Sequence, residues 1–293
     1  MAAAQLKKLI TDRPILVLPG VFDGLSAHLV ESLGYTSAFV TGAGVSESRC
    51  GVPDIGIMGF AEALDGAAMI ASRTSLLLLA DGDTGYGNAV NAFVTVRRFE
   101  QAGLAGIMLE DQEWPKRCGH RAGKSVIPAE EMVEKVKAAV EARRDPGFVI
   151  KARTDAAATH GIAEAIRRGN LYAKAGADLV FADALLTEDD IRRFVREVDA
   201  PVAVNMGLGI RGRPTTPLIP AKRLDAMGVA VVIYPRLLTT AAVHGMRSAM
   251  AALAVALESE EPLERTDLQV SFDELNTMMG LPGFQELERR HTT

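Results

Sequence analysis

Cysteine is nearly absent: 293 residues contain two, Cys50 and Cys118. Two thiols cannot make the framework of bridges that staples small secreted domains, and they suit a reducing compartment in which a thiol stays free. A long unbroken leucine stretch is missing too. The run "SLLLLA" ahead of Asp81 is far too short for the roughly 20 residues a membrane span needs. The opening "MAAAQLKKLITDRP" carries too brief an apolar run for a signal peptide, so a cytoplasmic protein with no membrane partner is expected. Excess positive charge is lacking as well, with 32 Lys and Arg against 37 Asp and Glu and a formal charge of −5. Nucleic-acid surfaces are basic, so no nucleic acid is expected as partner, whereas a small basic pocket for an anionic metabolite stays compatible. No His or Cys pair has zinc-ligand spacing, and no linker or low-complexity segment divides the chain.

What is present is a large apolar share, 48%, typical of a compact chain with a sizeable core. Apolar runs recur along it: "ILVLPG", "SAFVTGAG", "LLLLADGDTG", "GIMLED", "FVIKARTD", "LVFADA", "PVAVNM" and "VAVVIYP". Strands apolar throughout are buried on both faces, as in a parallel sheet covered by helices. Between the runs lie stretches with helical spacing, such as "NAVNAFVTVRRFEQAG", "PAEEMVEKVKAAVEARR" and "HGIAEAIRRGNLYAKAG". Gly34, Gly103, Gly176 and Gly228 stand where a left-handed C-cap belongs. This alternation predicts an α/β fold, a (β/α)8 barrel forming one domain over 1–293, with an open doubly wound sheet as the competing architecture. From about 236 the chain reads as a helical extension suited to packing on another subunit.

The ends of the runs carry the chemistry. They are Thr41 and Gly42, Asp81 and Asp83, Glu110 and Asp111, Arg153 and Asp155, Asp183, and Asn205. In a barrel these ends share one mouth, where catalytic groups collect; a mere return of polarity explains one or two of them, not the series. Side chains two apart on a strand face the same way, so Asp81 and Asp83 are expected to aim at one spot, with Gly82 and Gly85 leaving room for a ligand. Close carboxylates repel unless a cation or a shared proton relieves them. Mg2+ takes only one or two protein carboxylates and keeps other positions for water or substrate. A solvated Asp-Gly turn is the plainer alternative, and Glu110 on the next strand favours the metal. Arg153 is suited to grip a carboxylate in bidentate fashion, or else to pair with Asp155 or Glu110. His160, His244, Trp114 and the C-terminal methionines read as structural.

The stretch "LEDQEWPKRCGHRAGKS", residues 109–125, follows the fourth run and is expected to loop over the mouth. Lys116, Arg117, Arg121 and Lys124, with His120, surround Cys118 and would lower its pKa. Such a thiol can exchange a proton or attack as a nucleophile. Gly119 permits a sharp bend, and Pro115 and Pro128 bracket a segment suited to act as a lid.

These residues also carry a resemblance. "DGDTG", "LEDQ-WPK-CGH", "GK-V-PAEE", "ARTDA" and "HG--EAI-R---Y--AGAD" resemble the isocitrate lyase and phosphoenolpyruvate mutase superfamily, within it most the methylisocitrate lyase and dimethylmalate lyase branch that includes petal death protein. The likeness implies Mg2+, with Mn2+ as a substitute, a homotetramer exchanging C-terminal helices, and cleavage of a carbon–carbon bond in a 2-hydroxy di- or tricarboxylate. It implies that Asp81 and Asp83 hold the metal, with Asp54 and Glu110 supporting. Thr41, Gly42 and Ala43 would contact the α-keto acid fragment, and Arg153 and Asn205 the substrate carboxylate or its neighbouring oxygen. Cys118 would be the general acid, with Gly119 and His120 beside it.

The chain departs from the relatives on the substrate side. Asp183 of "FADA" stands where they often have Glu, Phe39 where they often have Tyr, and Thr240 where methylisocitrate lyases place Arg. After Asn205 comes "MGLGIRGRPTTPL", with Arg211 and Arg213 added. The leaving carboxylate is therefore expected to differ from methylsuccinate-type relatives, and the base on the 2-hydroxyl is unassigned. Oxaloacetate hydrolysis or decarboxylation, phosphonopyruvate-type chemistry, and carboxylate binding without catalysis are the alternatives.

Overall fold

A computed structural model describes residues 2–12, 14–117, 123–208 and 216–292. Each of the eight apolar runs forms a strand: β1 Leu16–Val21, β2 Ser37–Val40, β3 Leu77–Asp81, β4 Gly106–Glu110, β5 Val149–Thr154, β6 Leu179–Ala182, β7 Val202–Asn205 and β8 Val231–Tyr234. All neighbours are parallel and the sheet closes, β1 pairing with β8 from Leu16↔Val231 to Pro19↔Tyr234. Closure excludes the open doubly wound sheet. β4 and β5 are buried at every position, as strands with helices outside and packed side chains inside must be.

The helices form where their signals predicted. Asn88 caps the helix Ala89–Gln101, its side chain accepting from the Val90 and Asn91 amides at 2.9 and 3.4 Å, the bond that satisfies orphan donors of a first turn. Gly103, with φ +93°, and Gly176, with φ +107°, follow the helices Ala89–Gln101 and Ile162–Lys174 in the left-handed region, where a Cβ is strained.

The C-terminal region is different. In the helix Leu237–Leu257 Thr239 is the buried residue, and Met246, Met250 and Val255 are about 60% exposed. Phe272 and Phe284, on the helices Phe272–Met278 and Leu281–His291, are exposed as well. Met246 and Met250 therefore do not pack into this chain's own core. By length and composition alone Leu237–Leu257 would also cross a membrane. Short apolar runs hid this, because His244, Arg247 and Ser248 interrupt an alanine-rich helix.

Candidate active site

The predicted strand-end residues other than Asp111 converge at the C-terminal mouth. Asp81 ends β3, and its Oδ1 accepts from the Asp83 amide at 3.0 Å. Gly42 lies so close that a Cβ there would meet Asp81 Oδ2 at 2.9 Å, so the glycine makes room for that carboxylate. Thr41 uses its hydroxyl to cap the next turn, accepting from the Gly44 amide at 3.4 Å, and Ala43 is buried beside it.

Two local expectations need correction. Asp83 lies beyond the strand with φ +46°, so a backbone reversal and not strand alternation turns it inward. Gly82 leaves no room for a ligand: a Cβ there would meet Ile107 Cδ1 at 2.7 Å and the Met108 carbonyl at 2.8 Å. It allows the chain to pass close to β4. Gly85, with φ +81°, serves the same turn.

Lys116 drives into the acid cluster. Its ammonium donates to Asp54 and lies 2.8 Å from Asp83 Oδ1, an ion pair without hydrogen-bond alignment. Asp54, expected to support a metal, is thus held by lysine. Burial, followed by Asp81 and Asp54, pushes the Asp83 carboxyl up to about 6 against the pull of Lys116. Burial likewise raises Glu110 well above the carboxylate range, although Arg153 opposes it. Tyr86 is raised first by burial and then by Asp83, Asp81 and Glu110, which places its phenol beside all three acids.

The other side of the mouth is cationic. Arg153 is bidentate to Asp155 at 2.8 and 2.9 Å, with Glu110 Oε2 at 3.2 Å and Asp183 Oδ2 at 3.4 Å. The alternative of internal pairing for Arg153 is therefore realised. Lys124 bridges Asp155 and Asp183 at 2.7 Å each. Both lysines of the loop are buried among carboxylates, so they are not loose charges around a thiol as expected. Cys118, Gly119, His120, Arg211 and Arg213 lie outside the described residues. Asn205 ends β7 with its side-chain oxygen buried and without a hydrogen-bond partner. His160 and His244 are exposed, and Trp114 is 47% exposed against the Tyr86 ring.

Sequence reasoning misses the roles of four residues. Lys116 and Lys124 were read only as loop charge. Asp111 anchors a buried network instead of facing the mouth, accepting from Tyr172 Oη and Thr154 Oγ1 at 2.7 Å and from Arg168 Nη1 at 3.0 Å. Lys151, the one charge inside "FVIKARTD" ahead of Arg153, is fully buried. Its signal was available: it stands two residues before Arg153 and so shares its face.

The donor set suits Mg2+. Among the described residues no three His, Cys, Asp or Glu side chains are arranged around one ion, but Mg2+ needs only one or two carboxylates. Asp81 and Asp83, the latter raised first by burial and then by Asp81 and Asp54 against the pull of Lys116, supply them as hard oxygen donors.

The family model described as phosphoenolpyruvate phosphomutase matches residues 6–254. The chain belongs to the phosphoenolpyruvate mutase and isocitrate lyase superfamily. This superfamily member is 39% identical over 292 residues to the 2,3-dimethylmalate lyase of Eubacterium barkeri, covering 99% of this chain and 98% of that one. Among solved structures, oxaloacetate acetylhydrolase in complex with 3,3-difluorooxalacetate superposes with a TM-score of 0.89 at 32% identity, over 98% and 96% of the two chains. Phosphonopyruvate hydrolase in complex with oxalate and Mg2+ superposes with a TM-score of 0.86 at 29% identity, over 100% of both chains. The relatives of this superfamily member thus include a lyase and two hydrolases.

Proposed function

We propose that the protein is a Mg2+-dependent carbon–carbon lyase that cleaves a 2-hydroxy di- or tricarboxylate, of the 2-methylisocitrate or dimethylmalate kind, into an α-keto acid and a carboxylic acid. The observation that carries this reading is the convergence of Asp81, Asp83 and Glu110 opposite Arg153 at one mouth, in a chain 39% identical to a dimethylmalate lyase. Asp81 and Asp83 would hold the metal. When bound, Mg2+ supplies Lewis-acid stabilisation of developing negative charge on substrate oxygen.

The chain's own residues do the rest. Arg153, fixed on β5, presents a guanidinium to a substrate carboxylate in exchange for part of its contact with Asp155 and Asp183, a charge-assisted bond of the strong class. Asn205 offers its buried amide to a neighbouring oxygen. Thr41, Gly42 and Ala43 form the wall for the keto-acid fragment. Loss of the 2-hydroxyl proton lets the C2–C3 bond break, and Cys118 protonates the carbanion carbon, with Gly119 and His120 as its neighbours in sequence. Fixed charges in a water-poor mouth are worth more than in solvent.

Hydrolysis of oxaloacetate is a second reading, favoured by the likeness to oxaloacetate acetylhydrolase; decarboxylation and phosphonopyruvate-type chemistry are further variants on the scaffold. The test is incubation with Mg2+ and a panel of 2-hydroxy di- and tricarboxylates, oxaloacetate and phosphonopyruvate. Keto acid with an intact second carboxylic acid supports the lyase; oxalate with acetate from oxaloacetate supports the hydrolase. Silence across the panel, with ligand still bound, would leave a carboxylate-binding barrel and defeat the proposal. The exposed face of Leu237–Leu257 is proposed to pack on a second copy in a cytoplasmic homotetramer, which sedimentation would show.

A further inference from the structure

Lys151 is a buried ionisable group that the reaction above does not use. It springs from β5 with no exposed surface, and its Nζ has no hydrogen-bond partner. The amine lies 4.6 Å from the centroid of Phe181 and 5.2 Å from that of Phe39, between rings from β6 and β2. The Arg153 guanidinium lies 5.6 Å from the same Phe181 ring. The amine therefore reaches the layer of Arg153, at the floor of the mouth. A buried amine without a partner is costly, and contacts with aromatic faces recover only a small part of that cost. Among the described residues no side chain hydrogen-bonds the amine, and methionine or leucine would fill the same space.

We infer that Lys151 is the base that takes the proton from the substrate's 2-hydroxyl, an inference that rests on the lyase reading. Its orphaned amine gains in the substrate the hydrogen-bond partner that the chain withholds. The substrate O–H bond breaks as an N–H bond forms on Nζ. The oxygen's electron pair makes the C2 carbonyl while the C2–C3 bond breaks, and that bond's electrons stay on C3, which takes its proton from the general acid. The resulting ammonium gives its proton to solvent as products leave. The neighbouring rings bring no competing acid or base, since Phe39 and Phe181 are phenyls. The charged groups acting on the amine are Arg153 on its own strand, Asp81 on β3 and Asp183 after β6. Burial and then Arg153 pull its pKa from 10.5 down to about 7, against the two acids, the range in which a base works best at neutral pH.

The test uses the Mg2+ holoenzyme labelled with [ε-13C]lysine, Lys151→Met to assign the resonance, and Lys151→Arg as a permanently charged variant. The expected result is a Lys151 resonance that titrates near neutrality and moves when oxalate or pyruvate binds. Lys151→Met and Lys151→Arg should lower kcat by about 10²-fold or more, the size of a lost acid–base group. Oxalate affinity of Lys151→Met should stay within about threefold, since base loss spares ground-state binding. The acidic limb of the wild-type kcat/KM profile should vanish from the residual rate. Equal cleavage by wild type and Lys151→Met would overturn the inference while sparing the lyase. So would a resonance titrating near that of free lysine, or a borohydride-trapped adduct on Lys151, which would make the amine a nucleophile. If the wild type cleaves no member of the panel, the lyase reading fails by itself. In that case a Lys151 resonance unmoved by oxalate and pyruvate rejects the amine's contact with ligand as well.

Discussion

Replacing Lys151 by methionine should stabilise the protein, by an amount that depends on pH. The amine is buried and held at about 7, against 10.5 when free. Its folded pKa is lowered, so between those two values the unfolded chain binds the extra proton and stability rises with pH. Below pH 7 the folded protein must bury the charge, at a cost of about 5 kcal/mol at 1.36 kcal/mol per pKa unit. The cost shrinks through the alkaline range and disappears near the free value. Methionine matches the lysine stem closely and brings no charge into the barrel layer. The difference in unfolding free energy between Lys151→Met and wild type should therefore fall from about 5 kcal/mol near pH 7 to about 1 kcal/mol near pH 9.5. Urea melts of both proteins at each pH measure it, and groups common to both cancel. A difference that does not change with pH, or a wild type more stable at pH 7, would refute the reasoning.

Asp83→Ala should weaken Mg2+ binding by at least about tenfold, since losing even an outer partner of a metal costs that much; calorimetric titration with oxalate present reads it, and unchanged affinity would remove Asp83 from the site. Lys116→Met leaves Asp54 and Asp83 buried without their cation and should cost about 3–5 kcal/mol, with Mg2+ raising the Tm of the variant more than that of the wild type. Cys118→Ser should lower kcat by about 10²-fold while oxalate still binds; a fully active serine variant would take the thiol out of the mechanism. Tyr172→Phe deletes the phenol that donates to Asp111 at 2.7 Å and should cost about 1.5–3 kcal/mol of stability with kcat unchanged, because that network holds the fold and not the substrate.

The barrel was legible because its signals are local. Each strand is a short apolar run, and the glycines after the helices sit at positive φ for a reason visible in the sequence. The mouth was legible only in part. Asp81, Asp83, Glu110 and Arg153 were identified, yet the route to Asp83 was misread, because a left-handed residue outside a strand leaves no periodicity. Lys116 and Lys124 escaped because their partners lie 62 and 59 residues away, and no local pattern reports a long-range ion pair. The C-terminal helix was legible as an extension beyond the barrel, and its apolar residues are exposed in this chain as a surface suited to another subunit would be.

The unsatisfied buried polar atoms locate the site independently of any motif. Among the described residues those without a hydrogen-bond partner are Asp83 Oδ1, which keeps its ion pair with Lys116, and Tyr86 Oη, Lys151 Nζ, Asn205 Oδ1, Thr239 Oγ1 and Arg97 Nε. Arg97 belongs to an outer helix and lies over Phe93. Asp83, Tyr86, Asn205 and Thr239 lie at or beyond the C-terminal ends of β3, β7 and β8, and Lys151 lies within β5, two residues before Arg153. An interior built only for stability would avoid them, since each costs on the order of 1–3 kcal/mol when unpaired. Their concentration at one end of the barrel means that the cost falls where a ligand's oxygens would relieve it.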